Sequence, residues 1–237
     1  KPNGKKRPLG IPTLSDRMSQ EIIRQAIEPI CEYHFHGSSH GFRPERSCQD
    51  AGKDVFNKLC RQTSRQWVIE GDIKGCFDNI DHDPIIDTLK SWQVTDSINQ
   101  RIRLMLKSEL FFEGSMTDTE MGTPQGGIIS PLLANVALTA LDEFCQQFGR
   151  DHKYRVSPIV RYADDFVIVC ETERKAEIIK AKVAKFLKDK MGLELSEEKT
   201  CITHISKGFN FLGFNFRKYI KKSKKNGTAD MGAMYMM

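Results

Sequence analysis

The chain has 237 residues, 39% hydrophobic and 28% charged, which allows a substantial buried core and excludes a chain too polar to fold. Its 36 Lys and Arg against 31 Asp and Glu leave a net charge of +5, which favours an anionic partner but falls short of a histone-like tail. No run approaches the roughly 18 to 20 apolar residues that cross a membrane, and no signal-peptide pattern opens the chain, so a soluble intracellular protein is expected.

In chain order, Met18, Ile22, Ile23, Ala26, Ile27 and Ile30 recur at helical spacing from Asp16 to about Tyr33, with Asp16 as the expected N-cap. A second helix is expected from Ser47, where Asp50 completes a capping-box spacing, on through Val55, Phe56 and Leu59. The turn-rich His40-Gly41-Phe42-Arg43-Pro44 separates the two. Residues 66–73 read as a short strand with Asp72 near its far end. Asp83-Pro84 predicts a helix start, because Asp caps and Pro is tolerated at the first helical position. Thr95 is expected to cap the next helix, through Ile98, Ile102, Met105 and Leu106.

A glycine-rich loop, Gly122-Thr123-Pro124-Gln125-Gly126-Gly127, precedes Ser130-Pro131 and a long apolar helix through Leu141. Residues 157–161 and 166–170 are strongly β-prone and are separated only by Tyr162-Ala163-Asp164-Asp165, which predicts a hairpin with two acids at its turn. A helix from about Glu173 to Met191 should stop at Gly192, and short strands are expected at 193–195, 201–204, 210–212 and 214–216. Beyond Tyr219 a lysine-rich stretch runs into an aperiodic Gly, Ala and Met ending, where little order is expected. The chain opens on Lys1-Pro2-Asn3-Gly4 without an initiator methionine, so it is expected to be a piece of a longer protein. Seven cysteines lie scattered without CxxC spacing, as expected of free thiols. His34, His36 and His40 lack a cysteine partner, which argues against zinc.

Three acids stand where two-metal phosphoryl transfer would need them. Asp72 ends an apolar strand, and Asp164 and Asp165 occupy the tip of a hairpin with buried flanks. Adjacent carboxylates repel, a cost that a divalent cation offsets. The competing reading is that Asp-Asp is ordinary turn chemistry.

The surrounding strings decide between these. Tyr162-Ala163-Asp164-Asp165 resembles the signature tetrapeptide of reverse transcriptases, and the other motifs follow in the family's order. From Lys1 to about Lys218 the chain resembles the fingers and palm of a group II intron-encoded reverse transcriptase, or maturase. That resemblance implies an α+β right-hand polymerase fold: fingers and palm, with an antiparallel palm sheet backed by helices and the thumb absent. The implied layout is 1–65 fingers, 66–92 palm with the first metal-binding motif, 93–121 connection, 122–219 palm, and 220–237 a basic tail.

The resemblance also assigns roles. The string from Asp72 to His82 is similar to the first metal-binding motif, so Asp72 and the carbonyl of Ile73 are implied ligands, with Asp164 and Asp165, of two Mg²⁺ ions, for which Mn²⁺ is a possible substitute. Phe77 resembles the steric gate that excludes a ribose 2′-hydroxyl; the plainer reading is a core aromatic. Gln125, in a string similar to the nucleotide-pocket loop, is implied to lie against the incoming nucleotide, and Lys1 and Arg7 to contact its triphosphate. Arg43 is a candidate template or nucleotide contact, and Lys199 resembles a palm lysine that protonates pyrophosphate. Phe211, Leu212 and Gly213 resemble a primer grip, or pack in the core. The implied partners are an RNA template, a DNA primer, deoxynucleoside triphosphates and group II intron RNA, with no membrane, in a bacterial cytoplasmic intron ribonucleoprotein. Two alternatives are an RNA-binding splicing maturase with little polymerase activity and a retron, diversity-generating or CRISPR-associated reverse transcriptase.

Overall fold

The computed structural model describes residues 10–61, 65–107, 110–112, 115–117, 121–123, 126–150, 159–218, 221–222, 229–230 and 234–236. The elements are α1 (Leu14–His34), α2 (Cys48–Arg61), β1 (Trp67–Asp72), α3 (Cys76–Asn79), α4 (His82–Ser91), α5 (Asp96–Leu106), β2 (Leu110–Phe112), β3 (Ser115–Thr117) and α6 (Ser130–Arg150). They continue with β4 (Val160–Tyr162), β5 (Asp165–Cys170), α7 (Glu173–Met191), β6 (Cys201–His204), β7 (Phe209–Phe211), β8 (Phe214–Lys218), β9 (Lys221–Lys222), β10 (Ala229–Asp230) and β11 (Met234–Met236). They fall into two compact units.

One unit holds residues 1–35, 75–139 and 189–193 and is mainly helical where described. Helix α1 starts at Thr13 rather than at Asp16: the Thr13 hydroxyl accepts from the Asp16 N–H at 3.2 Å, and the Asp16 carboxylate accepts from the Thr13 hydroxyl at 2.6 Å. Asp16 therefore serves as the acid of the first turn, where it also favours the helix dipole. The buried stripe of α1 is Gln20, Ile23, Ile27 and Cys31, while Met18 and Ile22 stay largely exposed at 60% and 67%. Helix α4 is capped by Asp81, two residues ahead of the expected Asp83. It buries Ile85, Ile86 and Leu89 and packs on α5, which buries Ile102 and Leu106; each such side chain contributes about 1.5–3 kcal/mol on leaving water.

The other unit holds residues 36–74, 140–188 and 194–237. Its four-stranded antiparallel sheet has the order β4-β5-β1-β6. Central β1 and β5 pair over six positions, from Trp67 opposite Cys170 to Asp72 opposite Asp165. After its first residue, β5 is buried along its whole length, as expected of a strand covered on both faces. Ala51, Val55 and Leu59 of α2 cluster with Val68, Val160, Val167 and Val169 of the sheet and with Phe209, Phe211 and Phe216. The Phe144 ring stacks on Phe186 at 4.1 Å, joining the last turns of α6 to α7. The expected strand at 193–195 shrinks to a single bridge between Ile73 and Leu195. Among the described residues beyond 219, Lys221–Lys222 pairs with Ala229–Asp230, and Met234–Met236 pairs with β8 as an edge strand.

Candidate active site

The site grows from the pairing of β1 with β5. Because Asp72 is the last residue of one strand and Asp165 the first of its antiparallel neighbour, register alone makes them cross-strand partners. Tyr162 pairs with Asp165, which leaves Ala163 and Asp164 as a two-residue turn. Ala163 adopts φ 56°, a left-handed conformation that costs a residue with a Cβ about 1–2 kcal/mol. The Ile73 N–H donates to the Asp164 carbonyl at 3.3 Å, so the strand that ends in Asp72 is tied directly to the turn.

A second chain segment locks Asp72 from its other side. The Ser196 N–H donates to the Asp72 carbonyl at 2.8 Å, and a turn follows in which the Lys199 and Thr200 N–H groups donate to the Ser196 carbonyl. That turn swings Lys199 back so that its Nζ donates to Asp72 Oδ2. Asp72 is buried at 6% exposure, whereas the Lys199 side chain is 63% exposed. The hydrogen bond to Asp72, with the charges of Asp165 and Asp164 behind it, raises the Lys199 pKa against the opposing effect of partial burial. Asp165 keeps solvent contact, yet the surrounding protein and the like charges of Asp164 and Asp72 push its carboxyl up to about 6, with Lys199 pulling the other way.

Among the described residues, no three His, Cys, Asp or Glu side chains stand close enough to hold one ion. The carboxylates share a neighbourhood without forming a closed ligand set, and Asp72 is turned to the Lys199 ammonium. The donor chemistry nevertheless fits a divalent ion: the charges of Asp164 and Asp72 oppose the ionisation of Asp165, and the buried Asp72 carboxylate has already drawn a cation.

The remaining sequence-predicted residues divide by unit. Lys1, Arg7 and Gln125 lie outside the described residues. Phe77, in the helical unit, is half-buried in α3, and its carbonyl accepts from the Thr123 N–H at 2.6 Å. Gly122 donates to the Ile80 carbonyl at 2.8 Å, and its own carbonyl lies 2.7 Å from His82 Nε2, which fastens the start of the glycine-rich loop to the corner between α3 and α4. At φ 86° and with the Asp78 carbonyl oxygen 2.7 Å from where a Cβ would lie, this position requires glycine.

In the sheet-bearing unit, Arg43 is buried at 7% exposure, and its Nη1 donates to the carbonyls of His36 and Ser39 at 2.7 Å each. Phe211 is buried in the core cluster, Leu212 is partly buried against it, and Gly213 is exposed at the β7–β8 turn. Of the three histidines, His34 stacks on Trp92 at 4.7 Å, His36 Nδ1 lies 2.7 Å from the Ser38 hydroxyl, and His40 Nε2 lies 3.5 Å from Asp54.

Sequence reasoning missed Arg161 and Asp142. Arg161, at 0% exposure, donates through Nε and Nη2 to the two oxygens of Asp142 at 2.9 and 2.6 Å, through Nη1 to the Ala163 carbonyl at 3.0 Å, and again through Nη2 to the Ser39 hydroxyl at 2.8 Å. The available signal was a pair of opposite charges, each set into an otherwise apolar run on a strand or helix.

The family model described as reverse transcriptase (RNA-dependent DNA polymerase) matches residues 1–216. The group II intron-encoded protein LtrA of Lactococcus lactis subsp. cremoris is 35% identical over 98% of this chain and 49% of its own length. Protein YkfC of Escherichia coli K12 is also 35% identical, over 96% of this chain and 66% of its own length. The chain thus spans about half to two thirds of these curated relatives. Among solved structures, telomerase from Candida tropicalis in complex with a TWJ fragment of telomeric RNA aligns with a TM-score of 0.63 at 13% identity, over 86% of this chain and 36% of that one, a likeness of fold.

Proposed function

The chain belongs to the reverse transcriptase (RNA-dependent DNA polymerase) family, and from that membership we propose that it copies RNA into DNA as the fingers and palm of a group II intron-encoded protein. The observation that carries this reading is the convergence of Asp72, the adjacent Asp164 and Asp165, and Lys199, from three segments remote in sequence, at one end of the β1–β5 pair. The proposed layout assigns residues 1–65 to the fingers and residues 66–92 and 122–219 to the palm.

In this reading, Asp72, Asp164, Asp165 and the Ile73 carbonyl hold Mg²⁺, or Mn²⁺ in its place, and the bound ions supply the positive charge that activates the primer 3′-hydroxyl and neutralises the triphosphate. The chain's own residues do the rest. Burial and backbone bonds on both sides fix Asp72, while the exposed edge of Asp165 keeps one carboxylate reachable by substrate. Lys199 is the proposed proton donor to the departing pyrophosphate; its hydrogen bond to Asp72 raises its pKa and opposes that transfer, so the role requires Nζ to leave Asp72 for the phosphate. Phe77 is the proposed gate against ribonucleotides, Gln125 the nucleotide contact, and Lys1 and Arg7 the triphosphate contacts. Arg43 is better assigned to bracing its own loop than to touching template, given where its Nη1 donates. The proposed partners are RNA template, DNA primer, deoxynucleoside triphosphates and a group II intron RNA, within a cytoplasmic ribonucleoprotein.

Primer extension on an RNA template with Mg²⁺ tests the reading. Wild-type protein should extend the primer, and Asp164→Ala should lose at least about 10²-fold in rate, the scale expected when charge stabilisation at a reacting phosphate is removed. Equal extension by the two proteins would reject the assignment. Phe77→Ala should admit ribonucleotides in the same assay, and unchanged discrimination removes the gate role.

A further inference from the structure

The turn that carries Asp164 is held by a buried network of charged and polar side chains. We propose that Arg161, paired with Asp142 and bonded to Ser39, is a positioning residue that fixes the Ala163–Asp164 turn and thereby sets the carboxylates for metal binding. The inference rests on the reading of Asp72, Asp164 and Asp165 as the metal-binding centre.

Three observations carry it. First, a fully buried guanidinium is a poor stabiliser in itself, since apolar side chains of similar size in place of a buried ion pair often leave a protein as stable or more so. What an apolar pair cannot do is bond the Ala163 carbonyl, and Nη1 of Arg161 does so at 3.0 Å while the opposite side of the same planar group grips Asp142 with two bonds. Second, that carbonyl belongs to the residue in the left-handed conformation at φ 56°, a backbone state that persists when its surroundings over-determine it.

Third, a separate chain segment closes on the same turn. The Arg161 N–H donates to the Ser38 carbonyl at 2.9 Å and the His40 N–H to the Arg161 carbonyl at 2.8 Å, so residues 38–40 cover the outer edge of β4. Gly41 follows directly against the turn, where a Cβ would come 2.4 Å from the Ala163 nitrogen and 2.9 Å from the Tyr162 carbonyl carbon. Arg43 and Arg46 in turn hold carbonyls of residues 36, 37 and 39. The apparatus therefore spends charged donors on placing one turn of backbone, beside the carboxylates.

Lysine keeps the charge of arginine but is a point donor that cannot grip Asp142 and reach Ala163 together. Arg161→Lys and the milder Ser39→Ala, which leaves the ion pair intact, are therefore the informative variants. Thermal melts establish that each is folded; Mn²⁺ affinity is then read directly from the free-ion paramagnetic resonance signal, alongside the Mg²⁺ concentration that half-saturates primer extension. Folded Arg161→Lys should bind Mn²⁺ roughly tenfold or more weakly, and Ser39→Ala roughly threefold, with Mg²⁺ requirements shifted in step, on the scale of outer-shell changes at metal sites. A role confined to fold stability would lower the melting temperature and leave the Mn²⁺ affinity of the folded protein unchanged. Ser39→Ala with wild-type Mn²⁺ affinity overturns the proposal, whether or not Arg161→Lys folds. Wild-type protein that binds no Mn²⁺ removes the metal-centre reading itself, an outcome visible in the wild-type arm alone.

Discussion

At the tip of the β4–β5 hairpin Asp165 feels the like charges of Asp164 beside it and of Asp72 across the strand pair, with Lys199 as the opposing cation. Its pKa of about 6 lies above its ordinary value of 3.8, so the folded chain binds a proton there more tightly than the unfolded chain does. The resulting stabilisation is complete below about pH 4 and fades as pH rises through 6. In metal-free protein, Asp165→Asn should remove that loss and, above pH 7, raise stability by about 1 kcal/mol after allowance for solvent screening, or 2–4 °C in Tm. Thermal melts from pH 5 to 8 in chelator check this, and a variant less stable than wild type at pH 8 contradicts it. Asp142 behaves oppositely, because its removal strands the buried Arg161 charge: Asp142→Ala should cost about 3–5 kcal/mol in denaturant titration. At this scale Asp72, Asp164 and Asp165 were legible because acids at strand ends and tight turns break an apolar pattern. The Lys199–Asp72 contact joins positions 127 residues apart, and no local pattern encodes that distance.

Among elements, the hairpin and the loop at 36–46 act as one piece. Gly41→Ala must push the Tyr162–Ala163 backbone, so it should destabilise by roughly 1–3 kcal/mol, the usual cost of overpacking, and slow primer extension as well. Extension at the wild-type rate in a Gly41→Ala protein would show that the loop does not set the turn. The hairpin, α2 with its capping box and α6 were legible from sequence, since strand alternation, cap chemistry and a long apolar run are local signals. Helix α1 was legible in extent but not in orientation: two apolar stripes run along it, and only packing selects Ile23, Ile27 and Cys31 over Met18 and Ile22. The starts of α1 and α4 moved two to three residues because an Asp suits both the cap and the first turn behind it.

For the whole molecule, a charge of +5 and an exposed lysine face on α7, with Lys182, Lys185 and Lys188, match a polyanionic partner. Affinity for intron RNA should fall steeply as salt rises, since bound phosphates displace condensed cations; filter binding that is flat in salt would contradict a phosphate-driven contact. The mixed α and β content followed from the helical and strand patterns and the right-hand fold from the motif resemblance, whereas the division into two units, each assembled from segments distant in sequence, did not, because long-range contacts leave no periodicity. The most direct measurement is a crystal structure with Mn²⁺ and its anomalous signal. An ion is expected on Asp72 together with Asp164 or Asp165, with Lys199 Nζ withdrawn from Asp72. An intact Lys199–Asp72 pair with no anomalous peak at saturating Mn²⁺ would contradict it.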